Sequence, residues 1–156
     1  MRAAALTLAL LLVACGGERV SDPQTGISLR VPDGWQVQTG ILGMALWARP
    51  RLGSCPGTQV SVTRLPPAPA AIDDAALLDD RIRRFGYNSH GFELIERDGL
   101  RAELRHRQGS VAQQVLLQVH RHDDALDLVV AAADPGCFET MRHSLRRIAD
   151  SYRASS

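Results

Sequence analysis

Between Gly26 and Val31 apolar and polar residues alternate (Gly26-Ile27-Ser28-Leu29-Arg30-Val31), the two-residue period of a strand with one buried face. Pro32-Asp33-Gly34 supplies turn chemistry, because proline presets φ and glycine tolerates the exit; Trp35 follows as a core residue. Ile41 to Arg49 and Thr58 to Leu65 read as two more strands around a turn-rich loop that carries Cys55. Leu65-Pro66-Pro67-Ala68-Pro69-Ala70 is a stiff, polyproline-prone connector, read as a linker rather than a ligand for a proline-reading domain.

A helical period begins at Ile72-Asp73-Asp74, where either aspartate can cap the first turn. Leu77, Leu78, Ile82 and Phe85 form its apolar stripe, Arg83 and Arg84 complement the dipole at the far end, and Gly86 is expected just past the terminus. From Phe92 the pattern becomes a β-meander. Phe92 to Glu96 is a strand turned by Arg97-Asp98-Gly99. Leu100, Ala102, Leu104 and His106 then face one way, and Arg101, Glu103, Arg105 and Arg107 the other. A two-residue loop at Gln108-Gly109 would set His106 opposite Val111 and Ala102 opposite Val115, keeping apolar residues on one face. Asp123-Asp124 makes the next turn, and Leu126, Leu128 and Val130 rejoin that face. Asp134-Pro135 opens the last helix, with Asp134 as N-cap, Phe138, Met141, Leu145 and Ile148 as its buried stripe, and Arg142, Arg146 and Arg147 largely outside it. The expected order is three strands, a helix, four antiparallel strands and a helix packed back on the sheet. That is an α+β domain over residues 26–153, a central antiparallel sheet flanked by helices.

The N-terminus follows a different logic. Met1-Arg2 is a minimal positive start, and Ala3 to Val13 is an apolar run broken by one threonine. The run is too short for a bilayer-crossing helix, which needs about 20 residues, but it suits the apolar region of an export signal. Leu12-Val13-Ala14-Cys15-Gly16 is similar to the lipobox of bacterial lipoproteins, which makes residues 1–14 a signal peptide and Cys15 the acylated anchor. A thiol takes a diacylglyceryl group as a thioether, and cleavage frees the α-amine for a further chain such as palmitate. Each buried methylene contributes about 0.8 kcal/mol, and stable anchoring takes more than one chain. Residues 15–25 are then anchor and tether. Gly16 after the cysteine, rather than aspartate, favours the outer membrane in a diderm source, with the domain facing the periplasm or the exterior.

Composition changes this picture little. A chain of 156 residues, 45% hydrophobic and 22% charged, suits one folded domain. All 18 basic residues are arginine, yet the formal charge is only +1, with acids and bases interleaved. Nucleic-acid binders concentrate positive charge on one face, so nucleic acid is rejected as a partner. Beyond Cys15 there remain Cys55 and Cys137, an even pair that an oxidising compartment would join. The alternative is a Cys137 thiol acidified by the start of the last helix.

Candidate chemistry is thin. His120-Arg121-His122-Asp123-Asp124 puts two imidazoles on one strand face with acids beyond, a weak metal candidate. The same register sets His120 opposite Asp127 as a cross-strand ionic pair, and His106 should point to the other face. Asp73, Asp74, Asp79 and Asp80 could be imagined around calcium, but a capped, solvated helix face accounts for them. There is no G-x-S-x-G elbow, no H-E-x-x-H helix and no phosphate-cradling loop, and no cofactor is implied.

The arrangement resembles the PsbP-like superfamily, in particular its bacterial DcrB-like lipoproteins. The residues that carry the likeness are Ile27-Ser28-Leu29-Arg30-Val31-Pro32-Asp33-Gly34-Trp35, the helix after a proline-rich connector, the meander, and Arg147-Ile148-Ala149-Asp150-Ser151-Tyr152-Arg153. The resemblance implies an α/β/α sandwich. It also implies non-enzymatic work, since members include an extrinsic photosystem subunit, a Ran-binding import factor, envelope lipoproteins and chaperones for secreted effectors. The function expected is therefore binding or assembly at the cell envelope, towards another envelope or exported protein; the alternative is a small-molecule or metal-ion binder using the His120/His122 face. Cys15→Ser is expected to abolish membrane retention, and fractionation with fatty-acid labelling checks it: a variant that still takes label refutes the lipobox.

Overall fold

The computed structural model describes residues 17–53, 55–67, 72–122 and 125–155. The signal segment and Cys15 therefore lie outside the described residues, as do Asp123 and Asp124. Eleven elements follow one another: β1 (Glu18–Ser21), β2 (Ser28–Val31), β3 (Trp35–Ile41), β4 (Met44–Pro50), β5 (Gln59–Leu65), α1 (Asp74–Tyr87), β6 (Glu93–Asp98), β7 (Arg101–Gln108), β8 (Val111–His122), β9 (Ala125–Ala133) and α2 (Pro135–Asp150). Seven strands form one antiparallel sheet in the order β3-β4-β5-β9-β8-β7-β6, and β1 pairs with β2 in a small second sheet. α1 covers one face of the large sheet; α2 and β2 cover the other.

Two cores result, one per face. Leu78 and Ile82 of α1 pack on Ala102, Leu104, Val115, Leu117, Val119 and Leu126. On the other side Phe138, Leu145, Ile148 and Ala149 of α2 meet Ile27, Leu29 and Val31 from the β2 segment together with Leu46, Val60, Val62 and Leu116. The long β8 feeds both, odd positions to one core and Leu116 to the other, so every residue from Gln114 to Val119 is buried. Both helices begin on the expected caps: Asp73 accepts from the Ala75 N–H at 3.2 Å and Asp134 from the Gly136 N–H at 2.9 Å.

Several expectations need correction. The run Ile41 to Arg49 is not one strand: β3 ends at Ile41, β4 starts at Met44, and Leu42-Gly43 joins them. Both linking residues take left-handed φ, 50° and 78°, the conformation a tight hairpin loop of the right twist demands. Leucine is a poor occupant, which hid the turn. Five strands, not three, therefore precede α1, because β1 also lies within the segment read as tether. Gly86 lies inside α1, not beyond it; Phe92 would sit 3.7 Å from a Cβ there, and the Asn88 side chain closes the end by donating to the Arg84 carbonyl. The strand read from Phe92 to Glu96 runs from Glu93 to Asp98. The β7–β8 loop is Gly109-Ser110, so His106 faces Gln113 and Ala102 faces Leu117. The register slips by two residues from the expected one, which preserves every side chain's face; Gly109, at φ 61°, is the residue suited to the first loop position.

The charged face of β7 is covered in part: Arg105 and Arg107 are exposed, but Glu103 is not. α2 lies across it, and Glu103 is 1% exposed. Gln114 donates to it at 2.6 Å, and the guanidinium groups of Arg142 and Arg146, both on α2, close over its other oxygen. These arginines lie off the apolar stripe, but they are working parts of the helix–sheet contact. The Leu42 side chain is fully outside the core, so Leu42→Asn loses no packing and relieves a left-handed leucine; a gain of about 1 kcal/mol is expected, read as a higher urea midpoint at unchanged m-value.

Candidate functional site

Four places in the fold bear on function, and the His120 region is the first. His120 sits opposite Asp127 as the register requires. The ionic pair, however, is made by Arg64 of β5, whose Nε and Nη2 each donate to Asp127 at 3.0 Å. The Tyr152 hydroxyl donates to the same carboxylate at 2.6 Å. Asp127 is fully buried, and three donors occupy its lone pairs. His120 stacks on the Tyr152 ring, with centroids 4.2 Å apart, and its Nε2 lies 3.3 Å from Gln118 Oε1. Burial holds the imidazole below its ordinary pKa, with Asp127 and Asp150 pulling the other way. The phenol of Tyr152 is pushed far up, first by burial and then by its bond to Asp127. This is a finished structural network. His122 lies two residues further along the same face, and among the described residues no three His, Cys, Asp or Glu side chains converge as a metal site.

The four helix acids are accounted for in the same way. Asp73 caps α1, Asp74 receives Arg121 at 2.7 Å, Asp79 pairs with Arg97, and Asp80 pairs with Arg84 at 2.8 Å. Arginine, with its forked donors, answers each of the last three.

Cys55 and Cys137 come together from distant parts of the chain. The Cys55 loop is tied to the start of α2 by the Asp134 N–H donating to the Pro56 carbonyl at 3.1 Å. The two are free thiols here. The neighbouring Cys55, helped by burial, pushes the Cys137 thiol up to about 11, the reverse of the acidified nucleophile considered from sequence.

The third place was not foreseen. The end of α1 and β7 enclose a cavity of about 230 Å³ lined by Arg84, Phe85, Asn88, Ser89, His106 and Gln108. As expected, His106 points to the α1 face, away from His120; its ring lies edge-on to Phe85 at 5.1 Å. The Ser89 hydroxyl donates to the Phe85 carbonyl, so its oxygen is free only to accept, and His106 Nδ1, 3.2 Å away, is the donor. The imidazole therefore cannot take the serine's proton, which is the wrong polarity for an activated nucleophile. Its Nε2 is buried without a partner in bonding geometry. Burial holds this histidine below its ordinary pKa, countered by the nearby Gln113 amide. One sequence signal did point here: His106 ends an otherwise apolar alternation.

The fourth place is the β6 edge. β6 is hydrogen-bonded only to β7, and its pairing is irregular between Leu94 and Glu96. Of nine large hydrophobic side chains exposed among the described residues, five (Tyr87, Phe92, Leu94, Ile95 and Leu100) lie on β6 or its flanks, with Tyr87 86% exposed. The opposite edge, β3, presents Gln38 and Thr39 instead. The two edges of the sheet are chemically unequal.

No protein-family model matches the sequence, and no curated protein is similar to it at a significant level. Solved structures are similar over nearly the whole chain. Cyanobacterial PsbP (CyanoP) from Synechocystis sp. is 18% identical, with a TM-score of 0.66 over 92% of this chain and 95% of that one. The Ran-binding protein Mog1p of Saccharomyces cerevisiae is 6% identical, with a TM-score of 0.63 over 90% and 96%. LpqN, involved in cell envelope biogenesis of Mycobacterium tuberculosis, is 16% identical, with a TM-score of 0.59 over 89% and 90%. The chain has the PsbP-like fold.

We propose that an oxidising compartment closes the thiol pair. Peptide mapping of exported protein without reductant is expected to give the Cys55 peptide joined to that of Cys137, and two free thiols overturn the bridge.

Proposed function

We propose that this chain is an exported, lipid-anchored protein of the cell envelope that binds another envelope or exported protein along the β6 edge, and that it is not an enzyme. The exposed apolar pair Leu94 and Ile95 on this edge strand is the observation that carries the reading. A terminal strand offers unpaired backbone groups, and soluble domains blunt such edges with charge or cover them. Here Glu93, Glu96 and Asp98 do put charge on the strand, yet Leu94 and Ile95 between them stay exposed, with Tyr87 and Phe92 on the flank. An extended segment of a partner can add as an eighth strand, with its side chains over these residues.

The location is supported by the Leu12-Val13-Ala14-Cys15-Gly16 pattern and by the cell-envelope work of LpqN. Partner binding on this fold is supported by the Ran-binding Mog1p. Among the described residues no helix is long and apolar enough to cross a membrane. An acylated Cys15 would supply the attachment, towards the outer membrane if the source is diderm.

A second reading rests on the cavity. Its volume of about 230 Å³ fits a small ligand, and a neutral His106 with a bare Nε2 would accept a hydrogen bond from one. This moves small-molecule binding from the His120/His122 face, whose partners are already engaged, to the opposite side of the sheet.

One experiment separates the readings. Crosslinking in intact envelopes is expected to give a discrete protein adduct that Ile95→Lys weakens roughly tenfold, the worth of one lost apolar contact, and that Gln38→Lys on the other edge leaves unchanged. An adduct indifferent to Ile95→Lys refutes the edge; no protein adduct, with a small-molecule mass held by the wild type and lost in His106→Phe, makes the cavity the site.

A further inference from the structure

We infer that one end of the domain, made by the turn at residues 32–35 and the loop at residues 51–53, rests on the bilayer with the Leu52 side chain in lipid; this rests on the acylation of Cys15 proposed above. Gly17 lies against the 32–35 turn. A Cβ at this position would lie 2.0 Å from the Val31 carbonyl oxygen and 2.8 Å from the Pro32 Cα. The backbone is therefore pressed against the 32–35 turn, and only glycine allows it. Gly17 is two residues from Cys15, a reach of at most about 7 Å. The headgroup layer of one leaflet is itself about 5–7 Å deep. An acylated Cys15 holds its glycerol at the interface, so Gly17 lies within or just above this layer.

Whatever adjoins Gly17 arrives with it. Glu18, Val31, Asp33, Trp35 and Arg51 line one depression of about 180 Å³. The Arg51 N–H donates to the Gly34 carbonyl at 2.9 Å, fastening the 51–53 loop to the turn. The next side chain is Leu52, 92% exposed. Arg51 beside it is a cation on a flexible stem, suited to reach back to headgroup phosphates while the leucine enters the acyl region. Leu52 has no packing role in the fold, and the lipid surface gives it one.

Leu42 is the internal control. It is 93% exposed, equal to Leu52 in residue type and accessibility. It lies at the other end of β4, whose seven residues span about 23 Å. Only the direction from which the anchor approaches distinguishes the two leucines.

The test uses the full-length acylated protein in phosphatidylcholine–phosphatidylglycerol vesicles, with a carbene label confined to the acyl region and mass mapping to single residues. Label is expected severalfold higher at Leu52 than at Leu42, and Leu52→Asp should remove it from the 51–53 loop. With acyl mass confirmed on the Cys15 peptide, equal labelling of the two leucines, preference for Leu42, or none on either overturns the orientation and leaves the anchor standing. An N-terminal peptide without acyl mass overturns the anchor, and the orientation with it.

Discussion

Two carboxylates buried on one face of the sheet set the position of almost everything else. Uncompensated, a buried acid costs several kcal/mol. Glu103 recovers this only if Arg142 and Arg146 of α2 lie directly above it, and Asp127 only if Tyr152, just past the end of α2, reaches it beside Arg64. Apolar packing by Phe138, Leu145 and Ile148 drives the helix onto the sheet but would tolerate sliding; forked arginine contacts do not. Locked in this way, α2 presents Cys137 to the Cys55 loop at one end. At the other it delivers Arg153 to pair with Ser28, which fixes β2 and thus β1. The direction of the N-terminus is in this sense decided by a pair of acids in strands far along the chain.

Much of this was legible in the sequence because local and global preferences agree. Asp73 and Asp134 cap helices whose stripes, Leu78 with Ile82 and Phe138 with Leu145 and Ile148, are the ones buried. The meander strands and the His120–Asp127 pairing follow from alternation alone. Where the reading failed, the local signal was silent or ambiguous. A leucine in a left-handed turn gives no turn signature. β1 offers one partly buried residue, Val20, in four. Loops at Gln108-Gly109 and Gly109-Ser110 put the same side chains inward, so alternation cannot choose between them. Glu103 looked like one more charge in a polar register because its burial depends on a helix more than thirty residues away. The cavity beside His106 needs the end of α1 to lie against β7, a tertiary fact, although the histidine's apolar register marked the spot.

The fold is shared with proteins 6–18% identical to this one, so what is particular to this chain lies in its surfaces. Those surfaces are uneven. One sheet edge exposes Gln38 and Thr39, and the other exposes Leu94 and Ile95 among charged residues; one face is closed by arginine–carboxylate contacts, and the other leaves a histidine-lined opening where α1 ends. The helix that closes the first face is fully committed to it, whereas the Tyr87–Phe92 region at the end of α1 stays accessible. Binding chemistry has room on the α1 side of the molecule and little beneath α2.

The small β1–β2 pair has a mechanical meaning in an anchored protein. Its ladder opens at Glu18 opposite Val31, the end where tension from the membrane would enter. A ladder loaded there yields one rung at a time, like a zipper, rather than resisting as a block. Peeling β1 would release the ten residues from Gly17 to Gly26, roughly 35 Å of extended chain, while the seven-stranded sheet stays whole. Sudden strain on the envelope would thus lengthen the leash before it threatened the domain.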